Sequence, residues 1–152
     1  MEIERKFWID ALPDFPEARR SDVYQGYLCT EPVEVRIRKR LDSGAAQAVY
    51  QICVKSIGKL SRHEVETELT QAQFEELEQM LEQPLIHKEY HAYYLPDGHL
   101  LECSIVDGGV FSYAEVEFES EEAALAWEPL ACLGKETTYE TGVSMRAYWK
   151  SR

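Results

Sequence analysis

Strict alternation of apolar and charged residues runs through most of this 152-residue chain, and it restricts the possible folds more than any other feature. Successive side chains of a β-strand point to opposite faces, so the pattern predicts strands with one apolar and one ionic face. Eight such segments are predicted, at residues 2–10, 23–29, 33–41, 47–55, 62–69, 87–95, 99–106 and 110–119. The chain is therefore expected to be mainly β.

Short connections and a few helices complete the predicted architecture. Turn residues separate alternating segments and predict antiparallel pairing of consecutive strands, at 43–44, 96–98 and 107–109. Thr70 and Gln73 form a capping-box pattern before apolar residues at helical spacing, which predicts a surface helix. Further helices are expected after Ser120, with an interruption near Pro129, and over 143–150.

The polar faces of four predicted strands are ionic, and their charges repeat at Glu2, Glu4 and Lys6; Glu34, Arg36, Arg38 and Arg40; Glu64, Glu66 and Glu68; and Glu115, Glu117 and Glu119. Charges that face water on an ordinary half-buried sheet are one reading of this pattern. Like charges two residues apart repel each other, however, and mixed signs would serve solubility better. If the sheet closes with these faces inward, acidic strands can collect a hard cation while arginines collect phosphate oxygens.

Composition excludes several functional classes. The formal net charge of -12 argues against a protein that wraps duplex nucleic acid with its outer surface. No apolar run is long enough to span a bilayer, and the N-terminal residues are too charged for a signal peptide. We therefore expect a single domain over residues 1–152, located in the cytoplasm and acting as a monomer or homodimer on a small molecule, without membrane or duplex nucleic acid partners.

The charged residues occur in an order that resembles a known family. Glu2-x-Glu4-x-Lys6 resembles the E-x-E-x-K signature of the CYTH superfamily, also called triphosphate tunnel metalloenzymes. Further family motifs follow in order, as Gln25-Gly26-Tyr27, Arg36-x-Arg38, Ile52-Cys53-Val54-Lys55, Arg62-x-Glu64-x-Glu66-x-Glu68, Lys88, Ala114-Glu115-Val116-Glu117 and Gly134-Lys135-Glu136 with Thr138. The resemblance implies an α+β, mainly β fold: an eight-stranded antiparallel closed β tunnel with two or three covering helices. It also implies dependence on Mg²⁺ or Mn²⁺ and action on a linear triphosphate bound inside the tunnel.

The resemblance assigns roles to individual residues. It implies metal-binding carboxylates at Glu2, Glu4, Glu115 and Glu117. It implies phosphate-binding cations at Lys6, Arg36, Arg38, Lys55, Arg62, Lys88 and Lys135. Catalytic roles are expected for Lys6, Lys55, Glu64 and Glu66, and one carboxylate among Glu64, Glu66 and Glu68 is expected to orient water or hold a second cation.

Two positions depart from the family pattern. Family members commonly have K-x-R where this chain has Lys88-Glu89-Tyr90, so a phenol replaces a permanent cation. An aspartate often found in the seventh strand corresponds to Ser104. These departures bear on the rate or the substrate geometry rather than on the fold.

Hydrolysis of inorganic tripolyphosphate to pyrophosphate and phosphate is the favoured function, because the short chain has no insertion that would recognise a base or a thiamine ring. A nucleoside or thiamine triphosphatase, a class IV adenylyl cyclase and a non-catalytic polyphosphate- or nucleotide-binding module remain alternatives. The retained carboxylates argue against the last, since a pure anion binder has no need of them.

Overall fold

Nine antiparallel strands form one sheet that curls into a barrel in the computed structural model, which describes all 152 residues. The strands are β1 Glu2–Trp8, β2 Glu17–Cys29, β3 Val33–Asp42, β4 Val49–Ser56, β5 Ser61–Arg62, β6 Glu64–Leu69, β7 Ile86–Tyr94, β8 Leu100–Val106 and β9 Phe111–Glu117. Their order in the sheet is β5-β1-β9-β8-β7-β2-β3-β4-β6. The prediction of a mainly β fold built as an antiparallel barrel is confirmed.

The barrel closes where one predicted strand is divided in two. Residues 62–69 were expected to form a single strand, but the pairing is interrupted at His63, which gives nine strands instead of eight. On one side of the interruption β5 pairs with β1, with Arg62 opposite Glu2. On the other side β6 pairs with β4, with Glu64 opposite Lys55. Because β5 and β6 are consecutive in the chain, they join the two ends of the sheet.

The remaining edge of β1 is covered by residues 134–138. The backbone N–H of Trp8 donates to the carbonyl of Lys135 at 2.9 Å, and that of Thr137 donates to the carbonyl of Lys6 at 2.8 Å. Gly134 lies so close to β1 that a Cβ atom there would stand 2.8 Å from the Trp8 carbonyl oxygen. A glycine is therefore needed at the point where this segment seals the barrel.

The second strand is longer than predicted. It begins at Glu17 and not at residue 23, directly after the irregular stretch that contains Pro13 and Pro16. Its first half carries a run of charged residues that hides the alternation, yet it pairs with β7 and places Arg19 opposite Ala92. Local sequence reveals little here because the pairing partner decides the conformation.

Three helices lie outside the barrel, at α1 Gln71–Glu78, α2 Glu121–Ala126 and α3 Met145–Ser151. The predicted capping box is present at α1, where the Thr70 side chain accepts from the Gln73 N–H and the Gln73 side chain accepts from the Thr70 N–H. Ser120 and Ser144 cap α2 and α3 in the same position. No helix in this structure combines the length and the apolar character that spanning a membrane requires.

The hydrophobic core has two parts, one between the outer face of the barrel and α2 and one inside an end of the barrel, where α3 packs. The largest cluster packs residues of β8 and β9 against α2 and Trp127. A second cluster joins Val106 and Tyr113 of the barrel to Met145 and Trp149 of α3. Helices were expected to cover all outward apolar faces, but β4 and β6 leave Val54 and Val65 exposed, at 38% and 70%.

Candidate functional site

A cavity of about 260 Å³, which we call the tunnel, lies inside the barrel. Only 8 of its 28 lining residues are hydrophobic, so this part of the barrel interior is a polar site. Twelve of the thirteen predicted site residues line it: Glu2, Glu4, Lys6, Arg36, Arg38, Lys55, Arg62, Glu64, Glu66, Lys88, Glu115 and Glu117. The strand alternation therefore places the ionic faces inward.

Strand register brings the four predicted metal-binding carboxylates together on β1 and β9. Glu4 lies directly opposite Glu117, and Lys6 lies directly opposite Glu115. Residues opposite each other in an antiparallel pair have Cβ atoms about 4.5–5.5 Å apart, so their carboxylates share one region of the tunnel. Glu2 begins the same face of β1.

Three cations neutralise this acidic region. Lys55 Nζ lies 2.8 Å from Glu2 Oε2 and 3.2 Å from Glu64 Oε2. Arg62 donates to Glu2 Oε1 and to Glu34 Oε1, both at 3.1 Å. Lys6 Nζ lies 3.4 Å from Glu4 Oε1 and 3.9 Å from Glu115 Oε2. We call these carboxylates and their three cations the acidic cluster, comprising Glu2, Glu4, Glu34, Glu64, Glu115, Glu117, Lys6, Lys55 and Arg62.

Burial and crowding shift the pKa values of two carboxyl groups of the acidic cluster in opposite directions. Burial and the neighbouring Glu115 carboxylate raise the pKa of Glu4 well above its ordinary value. Burial also opposes ionisation of Glu115, but Lys6 and a hydrogen bond with Glu4 outweigh it and lower the pKa of Glu115 to about 2. Glu4 and Glu115 share a hydrogen bond, and a further cation beside them would favour the ionised form of both.

A divalent cation fits this arrangement. Glu4 Oε1 is buried and has no hydrogen-bond partner, although two ammonium or guanidinium groups lie within ion-pairing distance. Hard cations prefer carboxylate oxygens, and a cation bound here would favour ionisation of both Glu4 and Glu115. The residues that would hold it are Glu2, Glu4, Glu115 and Glu117.

The opposite wall of the tunnel carries cations that have no carboxylate partner. None of the ion pairs in the tunnel includes Arg36, Arg38 or Lys88. Arg36 and Lys88 are buried, and the Nε atoms of Arg36 and Arg38 have no hydrogen-bond partner. We call these three residues the basic cluster. Cations gathered on one wall without ion-pair partners repel one another, and an anion between them would remove the repulsion.

Register also explains how the basic cluster forms from distant segments. Arg36 and Arg38 share the inner face of β3, two residues apart. Lys88 of β7 lies opposite Val23 of β2, and Val23 lies opposite Arg40 of β3. The three strands are neighbours in the sheet, so the cations converge although residues 38 and 88 are far apart in sequence.

Lys135 does not reach the tunnel, which corrects its expected place among the phosphate-binding residues. Its side chain is 72% exposed, and its ammonium lies 2.6 Å from Glu140 on the surface. The motif Gly134-Lys135-Glu136 has a structural role here, because the backbone of residues 134–138 pairs with β1. Thr137, from the same segment, lines the tunnel.

The three carboxylates of β6 differ in position. Glu64 and Glu66 line the tunnel, whereas Glu68 is exposed and does not. Glu64 contacts Lys55, and Glu66 accepts a hydrogen bond from Gln51 at 3.2 Å. Carboxylate oxygens of Glu64 and Glu66 lie within 4.8 Å of each other and of the Cys53 thiol.

Several residues line the tunnel although the sequence did not identify them as site residues. Glu34, Arg19, Glu102 and Arg146 all line the tunnel. Glu34 stood on the charged face of its predicted strand, which was a signal. Glu102 gave none, because its strand reads His-Leu-Leu-Glu-Cys-Ser without clear alternation. Arg146 belongs to α3, and only the tertiary structure brings that helix to the barrel.

The two departures from the family pattern are neighbours. Tyr90 lies opposite Ser104 across β7 and β8, and both line the tunnel. The Tyr90 hydroxyl donates to Glu102 Oε1 at 2.5 Å. The phenol therefore engages a carboxylate of the tunnel wall, and Ser104 adds no charge beside it.

The chain is similar to proteins of known activity. No protein-family model matches the chain. An inorganic triphosphatase from Nitrosomonas europaea is 37% identical over 141 residues, which cover 90% of this chain and 89% of that protein. A crystal structure of an inorganic triphosphatase matches with a TM-score of 0.67 and 32% identity, covering 97% of this chain and 93% of the other.

A more distant structure shares the fold. It is a protein from Hippeastrum described as an adenylyl cyclase with a dominant triphosphatase activity, and its TM-score is 0.57. It is 19% identical and covers 82% of this chain and 83% of its own. At this identity the likeness concerns the fold alone.

Proposed function

This chain belongs to the CYTH superfamily of triphosphate tunnel enzymes, and we propose that it hydrolyses inorganic tripolyphosphate to pyrophosphate and phosphate with a divalent cation. The relative from Nitrosomonas europaea, 37% identical to this chain, supports this substrate. We further propose that the cation is Mg²⁺ or Mn²⁺, because the ligands offered are carboxylate oxygens.

One observation carries the proposal: the charges of the tunnel are separated into an acidic and a basic cluster. Carboxylates gather around Glu4 and Glu115, while Arg36, Arg38 and Lys88 have no carboxylate partner. A linear triphosphate suits such a site, since its phosphates can contact the basic cluster, and a cation held by the carboxylates would offset the remaining negative charge. A neutral or singly charged ligand would leave most of these charges unmatched.

The chain's own residues would act mainly by position and charge. Arg36, Arg38 and Lys88 would hold the pyrophosphate portion and stabilise the negative charge that it gains on leaving. A cation bound by the carboxylates would supply further charge stabilisation at the phosphoryl oxygens. The oxygen of water bonds to the terminal phosphorus, the P–O bond to pyrophosphate breaks, its electron pair leaves with pyrophosphate, and the proton that the water loses passes to solvent.

Glu64 is the residue that we propose to orient the attacking water. It lines the tunnel, stands opposite Lys55 in the strand register, and contacts its ammonium at 3.2 Å. This ion pair fixes the carboxylate beside Glu2 in the acidic cluster. Glu66 lies one strand repeat away beside Gln51, and Glu68 is outside the tunnel.

The first experiment is phosphate release from a panel of substrates. Tripolyphosphate, ATP, GTP and thiamine triphosphate are each incubated with Mg²⁺, Mn²⁺ or a chelator, and cyclic AMP is sought in parallel. We expect cation-dependent release that is fastest with tripolyphosphate. Faster release from an organic triphosphate would replace the proposed substrate, and cyclic AMP formation would replace the reaction.

A pair of variants tests the site. Glu4→Gln removes a carboxylate from the acidic cluster with little change in size, and turnover is expected to fall by at least about 100-fold. Lys135→Ala is the matched control, because Lys135 is exposed and pairs only with Glu140. Full activity in the Glu4 variant would contradict the assignment of the metal site.

A further inference from the structure

Lys88 is the one member of the basic cluster that can change its charge. Arginine keeps its proton under all ordinary conditions, whereas lysine can lose one when it is desolvated. The Lys88 side chain is 4% exposed. Its single hydrogen bond joins Nζ to the Tyr113 hydroxyl at 3.0 Å, and a phenol can act as donor or acceptor in that bond. A neutral amine is therefore as well satisfied there as an ammonium ion.

The groups that face Lys88 carry charges of both signs, and its Nζ atom lies 5.6 Å from the centroid of the Tyr113 ring. Arg36 and Arg38 approach from β3, Tyr113 and Glu115 from β9, and Glu102 from β8. Glu115 is already engaged by Lys6, and Glu102 by the Tyr90 hydroxyl. No carboxylate ion-pairs with Lys88, while two arginines that join no ion pair share its wall. Burial, followed by the charge of Arg38, lowers the pKa of Lys88 well below its ordinary value.

We propose that Lys88 is an uncharged amine while the tunnel holds no anion, and that it takes up one proton when a triphosphate binds between it and the two arginines. The proton comes from the solvent buffer, and the nitrogen lone pair forms the new N–H bond. The inference rests on the proposed function, since it supposes that the basic cluster binds a triphosphate. It makes Lys88 a positioning residue whose charge appears only with the ligand.

The same site contains lysines that should not behave in this way. Lys55 contacts Glu2 and Glu64 at 2.8 and 3.2 Å, and Lys6 lies 3.4 Å from Glu4. These ammonium ions are paired before any ligand arrives. Proton uptake on binding should therefore depend on Lys88 and not on tunnel lysines in general.

Calorimetry of tripolyphosphate binding tests the proposal. Binding is measured with a chelator present and with no phosphate released, in two buffers of different ionisation enthalpy, to count the protons exchanged. Lys88→Arg keeps the charge but cannot titrate, and protons that tripolyphosphate itself exchanges cancel in the comparison. We expect the wild type to take up close to one proton more than this variant. Its affinity should also fall more steeply with rising pH, by up to about tenfold per pH unit.

The outcomes separate the inference from the proposed function. Equal proton counts in the wild type and Lys88→Arg would overturn the inference and leave the triphosphate site intact. Absence of tripolyphosphate binding to the wild type would overturn the proposed function itself. Lys88→Met provides the same test if the arginine variant fails to fold, and Lys59→Arg, at an exposed lysine bonded to the Tyr139 carbonyl, should leave the count unchanged.

Discussion

Replacing Arg36 by methionine is expected to stabilise the protein without ligand and at the same time to weaken its binding of tripolyphosphate. Arg36 is 9% exposed, its Nε has no hydrogen-bond partner, and it joins none of the tunnel's ion pairs. A buried donor without a partner costs about 1–3 kcal/mol, and methionine fills a similar volume without that cost. For a chain of this size the gain corresponds to a melting temperature about 2–12 °C higher.

The weaker binding of tripolyphosphate follows from the same lack of partners, because the Arg36 guanidinium is free to bind phosphate oxygens. A hydrogen bond to a charged group contributes about 1.5–3 kcal/mol, so losing the guanidinium should weaken tripolyphosphate binding about 10- to 150-fold. A ligand at 100 times its dissociation constant stabilises the wild type by about 2.7 kcal/mol. At the same concentration the variant should gain only about 0.3–1.4 kcal/mol.

Thermal unfolding with and without tripolyphosphate, in the presence of a chelator, measures both effects in one assay. Arg40→Met is the matched control, because Arg40 lies on the same face of β3 but pairs with Asp42 at 3.0 Å. Its replacement removes a partly exposed ion pair and should lower stability by no more than about 1 kcal/mol. If Arg36→Met lowered the melting temperature and kept the full ligand-induced shift, the basic cluster would not be an anion site.

Three further outcomes are expected. Arg5→Ala should lower the free energy of unfolding by about 2–4 kcal/mol in a denaturant titration. Arg5 donates to Glu136 at 2.7 and 2.8 Å and to two backbone carbonyls, and without Arg5 the Glu136 carboxylate regains only part of its hydration. A loss below about 1 kcal/mol would contradict this. Glu64→Gln should reduce turnover with tripolyphosphate at least about tenfold more than Glu66→Gln in steady-state kinetics, and the reverse order would exchange their roles. Lys88→Met should raise stability most at neutral pH and lose this advantage as pH approaches about 10, measured by unfolding at several pH values. On unfolding, Lys88 takes up the proton that it lacks in the folded protein, so the stability of the wild type rises with pH through that range. A difference in stability between variant and wild type that did not change with pH would refute the reasoning.

Sequence alone was sufficient for the strand faces because alternation is a local property. The inner faces of β1, β3, β6 and β9 could be read directly, since every second residue is charged. The start of α1 was equally local, and Thr70 and Gln73 cap it as predicted. Where alternation was weak, as in β8, the tunnel residue Glu102 remained hidden.

Pairing partners and strand boundaries were harder to predict. The first half of β2 and the division of residues 62–69 at His63 depend on which strands lie beside them. Lys135 belongs to a recognisable motif, yet its side chain faces solvent because the backbone around it seals the barrel. A motif in the sequence shows that a segment matters to the protein. Only the fold shows whether its side chains bind ligand or its backbone completes the barrel.

The sequence by itself determined which residues carry charge and which share a strand face, because both follow from residue identity and a period of two. Only the tertiary structure decided which charges neutralise one another. Lys6, Lys55 and Arg62 were indistinguishable in sequence from Arg36, Arg38 and Lys88 as phosphate-binding cations. Barrel closure places the first three in ion pairs with carboxylates and leaves the other three without an ion pair, since ion pairing depends on distances of a few ångströms between strands remote in sequence.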